Sequence, residues 1–227
     1  MLQKKEANNF IGEFKSRHPA LKDTSIVTVM YKESLGPDYV DAPKFKGGYL
    51  PKDNAIMIII SEHKDLKDLE ATLKHETYGH HSLYRINREE KRELLHSIRG
   101  LKDDPSVKPY WDMVNKDYPG MDLNQRAEEV FSYIVEKSHI GYKMTREVTY
   151  NVKSIEDIKN VSYDLQNKYL NRSLEQQIVP RDNKKQFRKP EHAQEKSHSP
   201  ETLKQFVRQR SEHAQDKIKD NSKGIER

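Results

Sequence analysis

The chain has 227 residues, 33% of them hydrophobic and 34% charged, with a formal net charge of +5. That length suits one domain with a sizeable core plus an appendage, and the absence of cysteine removes disulfides, thiolate ligands and a thiol nucleophile, so a metal would be held by histidine and carboxylate. The first residues do not read as an apolar leader of about 7–15 residues, and no run of about 18 apolar residues occurs, which points to a soluble, cytoplasmic protein, although a specialised secretion route would leave no such mark.

Residues 3–17 set Phe10, Ile11 and Phe14 on one face of a short amphipathic helix that Pro19 helps to end. Ser25-Ile26-Val27-Thr28-Val29-Met30-Tyr31 is rich in β-branched residues, and Asn54-Ala55-Ile56-Met57-Ile58-Ile59-Ile60 is a nearly continuous apolar run; both read as strands. Between them Lys46-Gly47-Gly48-Tyr49-Leu50 supplies a short third strand or a bend. Residues 65–82 repeat Leu66, Leu69 and Leu73 at helical spacing, and Asn87 then caps a helix carrying Leu94, Leu95 and Ile98 up to Gly100, on which His96 reads as a surface or packing histidine. Asp122 with Gln125 resembles a capping box, opening a helix to about Lys137 with Ala127, Val130, Phe131 and Ile134 on its apolar side; Ser154 and Asp157 repeat the signature before Ile155, Ile158, Val161 and Leu165.

From about residue 176 the character changes. Residues 1–180 hold 28 Lys or Arg against 28 Asp or Glu, whereas residues 181–227 hold 13 against 8, so the whole positive excess lies in the tail. Residues 177–227 read as a basic, largely disordered tail that can form a helix near 200–218, started by Ser199-Pro200-Glu201 and striped by Leu203, Phe206, Val207, Ala214 and Ile218. The hexamer from Glu191 to Lys196 recurs from Glu212 to Lys217, a weak repeat to which no function attaches, and His192, His198 and His213 are poorly spaced as ligands.

The chemistry concentrates in His75-Glu76-Thr77-Tyr78-Gly79-His80. Two imidazoles can coordinate a divalent metal, and a neighbouring carboxylate is where a hydrolytic zinc needs a base for its water. The histidines are five apart, however, and on a regular α-helix that spacing leaves them about 140° off a common face. A π-bulge, with i→i+5 bonding, would bring His75 and His80 back together, with Gly79 placed to relax the backbone. On a straight helix Glu76 and His80, four apart, form a rival chelate.

The pattern HExxGH resembles the metal-binding helix of peptidases of the dipeptidyl-peptidase III type, and also zincin-like domains of phage and conjugative-plasmid proteins. The resemblance implies that His75 and His80 bind zinc and that Glu76 is the base or its remnant. Glu129 followed by Ser132 looks like the glutamate helix of gluzincins, which implies Glu129 as third ligand, while a helical wheel alone sets Glu128 nearer the apolar arc. Many gluzincins carry an acidic residue where Tyr133 stands, to orient a ligand histidine; that role is unassigned, with Asp122 as one substitute. A gluzincin oxyanion donor would be sought among His139, Tyr142 and Tyr133.

The expected fold is therefore α+β and zincin-like over residues 1–176, a small N-terminal sheet and a metal-binding helix facing a helical C-terminal lobe. As in zincins, either the Ile56–Ile60 run or the Gly47–Leu50 segment would border the cleft, the isoleucine run reading more simply as core. The expected function is that of a zinc-dependent metallopeptidase acting on a peptide or protein, with metal ligands His75, His80 and Glu129 and catalytic Glu76. An alternative of a different class is a catalytically inactive zincin-like scaffold from a mobile genetic element, binding nucleic acid or a protein partner through its basic tail.

Overall fold

The computed structural model describes residues 2–35, 45–137 and 149–170. The tail over 177–227, its helix near 200–218, and two of the three oxyanion candidates, His139 and Tyr142, lie outside those residues. The described chain is mixed α+β, a three-stranded sheet and six α-helices. Among the described residues no helix is long and apolar enough to cross a membrane.

Helix α1 (Lys4–Ser16) buries Ala7, Ile11 and Phe14, one stripe at spacings of four and three, and leads through a short 3₁₀ turn into β1 (Ser25–Val29). Strands β2 (Gly47–Leu50) and β3 (Ala55–Ile59) follow as a hairpin, closed by a turn in which Asn54 takes a left-handed φ of 46° and donates its side-chain amide to the Asp23 carbonyl at 2.9 Å. The sheet order is β1-β3-β2, with β3 parallel to β1 and antiparallel to β2. Its central place explains why β3 is apolar at every position: Ile56 and Ile58, with Ile60 beyond the strand, belong to the core shared with the helices, while Ala55, Met57 and Ile59 pack with Leu35 and Leu50 on the other face. The isoleucine run is core, and the glycine-tyrosine segment is one of the two edge strands.

Helix α2 (Leu66–Lys74) is capped by Asp65, which accepts from the Asp68 N–H at 2.8 Å, and it passes without a break into a π-helical turn over His75–His81. Helix α3 (Arg88–Gly100) opens on an Asn87–Glu90 capping box. Helix α4 (Lys108–Asp117) has no counterpart in the sequence analysis, because only Trp111 and Val114 of its ten residues are buried and that is too thin a stripe to show a period. Helix α5 (Leu123–Glu136) begins at the Asp122–Gln125 capping box, and α6 (Ile155–Tyr169) at Ser154, whose hydroxyl accepts from the Asp157 N–H. Asp122 is occupied with this cap and does not orient a ligand histidine.

Helix α5 is the hub: it packs against the π turn, α3, α4 and α6. At its closest approach to the π turn, Gly79 faces Ser132, and a Cβ built on Gly79 would lie 2.6 Å from Ser132 Cβ and 2.8 Å from its Cα. Gly79 is thus required by the crossing of two backbones rather than by any relaxation of its own. Replacing Gly79 by Ala pushes α5 away from the turn, and we expect a loss of about 1–3 kcal/mol of stability, the usual range for overpacking; urea unfolding would read it, and an unchanged midpoint would mean that the helices do not cross this closely.

Candidate metal centre

The π turn changes which side chains share a face. Thr77 donates its hydroxyl to the Leu73 carbonyl at 2.6 Å, and Ser82 donates to the Thr77 carbonyl five residues back at 2.9 Å, so hydroxyls satisfy carbonyls that the widened turn displaces. With the turn so held, the His75 and His80 rings meet edge to face, their centroids 5.1 Å apart. His81, one residue on, goes the other way. It is fully buried, its Nε2 accepts from the Arg85 guanidinium at 3.1 Å and sits 3.2 Å from the Thr24 hydroxyl, and burial with Arg85 holds its pKa down to about 3, so it stays neutral and pins the turn to the sheet.

Helix α5 supplies the opposite wall. Glu129 places Oε2 3.3 Å from His75 Nε2 and Oε1 3.5 Å from His80 Nε2. His75, His80 and Glu129 each offer a ligand atom within 4.8 Å of the others, and all three are buried. Two ligands bound at about 2.0–2.1 Å to a tetrahedral ion lie about 3.4 Å apart, so separations of 3.3 and 3.5 Å suit a metal between them. Glu128 does not point there: its Oε1 accepts from His80 Nδ1 at 3.0 Å and its Oε2 from Lys91 at 2.8 Å. Nor does Glu76 pair with His80 as a chelate in this group; it lies buried beside it, its Oε2 without a hydrogen-bond partner.

The other nitrogen of each histidine is also engaged. His75 Nδ1 donates to Glu136 Oε2 at 3.0 Å, as His80 Nδ1 does to Glu128. Each carboxylate favours the Nδ1–H tautomer and leaves Nε2 as the nitrogen available to a metal. The orienting role that Tyr133 cannot fill therefore falls to Glu136, seven residues after Glu129, and to Glu128, immediately before it. In the sequence Glu136 carries no motif and Glu128 reads only as a candidate ligand, although the seven-residue helical spacing from Glu129 was the signal available for Glu136. Tyr133 instead sets its ring edge to face with His75, centroids 4.7 Å apart, and its hydroxyl lies 3.3 Å from that of Tyr118. Burial pushes the Tyr133 hydroxyl up to about 12, with Glu129 and Glu136 adding to it, and burial followed by Glu129 raises Tyr118 as well, so both remain protonated donors. Tyr118 follows the unforeseen α4, which is why it escaped notice.

A cleft of about 170 Å³ opens against the centre, walled by Tyr49 and Pro51 at the end of β2, by Tyr84, Met121 and Gln125, and by His80 itself. The donor set of two imidazoles and one carboxylate, with a cleft at the remaining side, suits a divalent cation that keeps an exchangeable position.

Burial disfavours charge on His75 and His80, yet the carboxylates around them outweigh it and raise His75 to about 9 and His80 to about 10. Glu129 is held well below the usual carboxylate range, since the two imidazoles overcome its own burial. A raised imidazole keeps its proton through neutral pH, so a metal must displace that proton. Affinity should accordingly increase as pH rises toward about 9–10, with proton release visible as a buffer-dependent binding enthalpy; a pH-independent affinity would contradict it. Glu136→Gln and Glu128→Gln should each weaken metal affinity by about 10–100-fold in a chelator competition, with the fold retained, because each leaves a ligand histidine without its orienting partner.

No family model matches the chain, and no solved structure matches it. Over 110 residues it is 36% identical to DNA primase TraC from Escherichia coli, a stretch that makes up 44% of this chain and 8% of that protein. The chain is thus similar to a small part of a much longer relative.

Proposed function

We propose that this domain is a zinc-dependent hydrolase of the gluzincin-like type, cutting peptide bonds with Glu76 as the base. The observation that carries this reading is the convergence of His75 Nε2, His80 Nε2 and the Glu129 carboxylate beside a buried Glu76 oxygen that has no partner of its own. A zinc ion held by those three residues supplies a Lewis acid that acidifies water and polarises a carbonyl. Glu76 Oε2 is free to take a proton from the attacking water and to return it to the leaving amine. Glu129 carries negative charge at neutral pH, and Glu128 and Glu136 keep the histidines from turning. Protonated Tyr133 and Tyr118 are the hydroxyls best placed to stabilise negative charge developing on the carbonyl oxygen, Tyr133 lying against His75. The end of β2 lines the cleft through Tyr49 and Pro51, where the substrate peptide would lie.

A second reading has a specific basis in the 36% identity to part of a DNA primase. In it the metal centre is structural, and the domain belongs to nucleic-acid machinery of a mobile element, with the basic residues of 181–227 as the contact. The two diverge at Glu76. Glu76→Gln should keep stoichiometric zinc by mass spectrometry and lower hydrolysis of a peptide library by at least about 10²–10⁴-fold, the range for loss of a general base. A variant that cuts as well as the wild type would sink the mechanism, and a wild type that loads zinc but cleaves nothing would move the assignment to the scaffold.

A further inference from the structure

Away from the metal, a second and larger cleft of about 570 Å³ lies between α3, the connection after it, α4 and the start of α5. We propose that it binds the phosphodiester backbone of a single-stranded nucleic acid. Its walls carry Arg99, Lys102, Lys108 and Arg126 against Asp103 and Asp112. Asp112 is taken up by Lys108, with Nζ to Oδ2 at 2.6 Å. Arg126 is held by neutral acceptors alone, Nε to the Met121 carbonyl and Nη1 to Asn115 Oδ1, both at 2.8 Å, and Arg99 contacts the His96 ring at 2.9 Å. Among the described residues Arg99, Lys102 and Arg126 have no carboxylate partner within ion-pair distance.

This is a local concentration of charge and no reflection of a basic chain, because residues 1–180 carry as many acids as bases. Two donors in the cleft wall also lack acceptors: Arg99 Nε and the indole Nε1 of Trp111, a residue only 4% exposed. An unpaired buried donor costs about 1–3 kcal/mol, so an acceptor that reached either group would be favoured. Three unmatched cations spread over α3, its following connection and α5 suit successive phosphates better than a single small anion. Leu123, 56% exposed on the same rim, offers apolar surface to a base. The phosphate contacts would fix position without reading sequence. The cleft is separate from Glu76 and the histidines, so the proposal stands whether or not the centre hydrolyses anything.

Fluorescence anisotropy of a labelled oligothymidine of about 20 nucleotides, titrated with the full chain at about 100 mM salt, tests it. The cleft pair Arg99→Gln/Lys102→Glu is compared with the charge-matched pair Lys5→Gln/Lys4→Glu on exposed positions of α1. We expect the cleft pair to weaken binding by about tenfold and to reduce the slope of log affinity against log salt by about 1.4, while the α1 pair stays within about twofold. Trp111→Phe, which leaves a smaller aromatic ring and removes the donor, should weaken binding by about threefold, measured at a temperature where circular dichroism shows the variant folded. Equal losses in the two pairs, or no saturable binding by the wild type, would overturn the proposal.

Discussion

Everything at the candidate metal centre depends on the approach of two backbones at Gly79 and Ser132. A Cβ at position 79 would overlap the Ser132 hydroxyl oxygen, so the π turn and α5 can lie this close only where one side has no side chain. That proximity lets Glu129, three residues before Ser132, reach both imidazoles. It also brings Glu128 and Glu136 behind them, so that one helix supplies the candidate ligand and both carboxylates that hold the imidazoles. The π turn and the glycine are therefore two halves of one device: the turn aligns histidines five residues apart, and the glycine lets the glutamate helix meet them.

Electrostatics point the same way. Glu76, Glu128, Glu129 and Glu136 crowd around two imidazoles and Lys91, and Glu76 and Glu129 are buried. Carboxylates in such surroundings need cations, and here they draw protons onto His75 and His80, whose ordinary pKa would leave them largely neutral. A divalent ion answers the same surplus of negative charge without protonating the ligands. The tyrosines fit this picture, since burial beside carboxylates keeps Tyr118 and Tyr133 as donors.

The sheet holds the centre without supplying ligands. Because β3 lies between β1 and β2, its alternate residues feed two apolar layers, and α2 rides on one of them through Leu69 and Leu73. His81 and Tyr49, edge to face at 5.3 Å, tie the far side of the π turn to β2, which carries the edge strand to the mouth of the cleft.

Much of this was legible in the chain because it is local. The capping residues Asn87, Asp122 and Ser154 fix helix starts through bonds three residues long, β-branched runs mark β1 and β3, and the five-residue spacing of His75 and His80 calls for a π turn. What the sequence could not decide is which groups meet across the fold. A helical wheel favoured Glu128 and the gluzincin resemblance Glu129; it is the crossing at Gly79 that turns Glu129 to the Nε2 atoms and leaves Glu128 and Glu136 to the Nδ1 atoms. The role of Gly79, the place of Tyr118 beyond a helix with only two buried side chains, and the gathering of Arg99, Lys102 and Arg126 around one cleft likewise come from packing. Spacing along a chain sets backbone hydrogen bonds and apolar stripes; the partners of a buried charge are set by how closely those elements can approach.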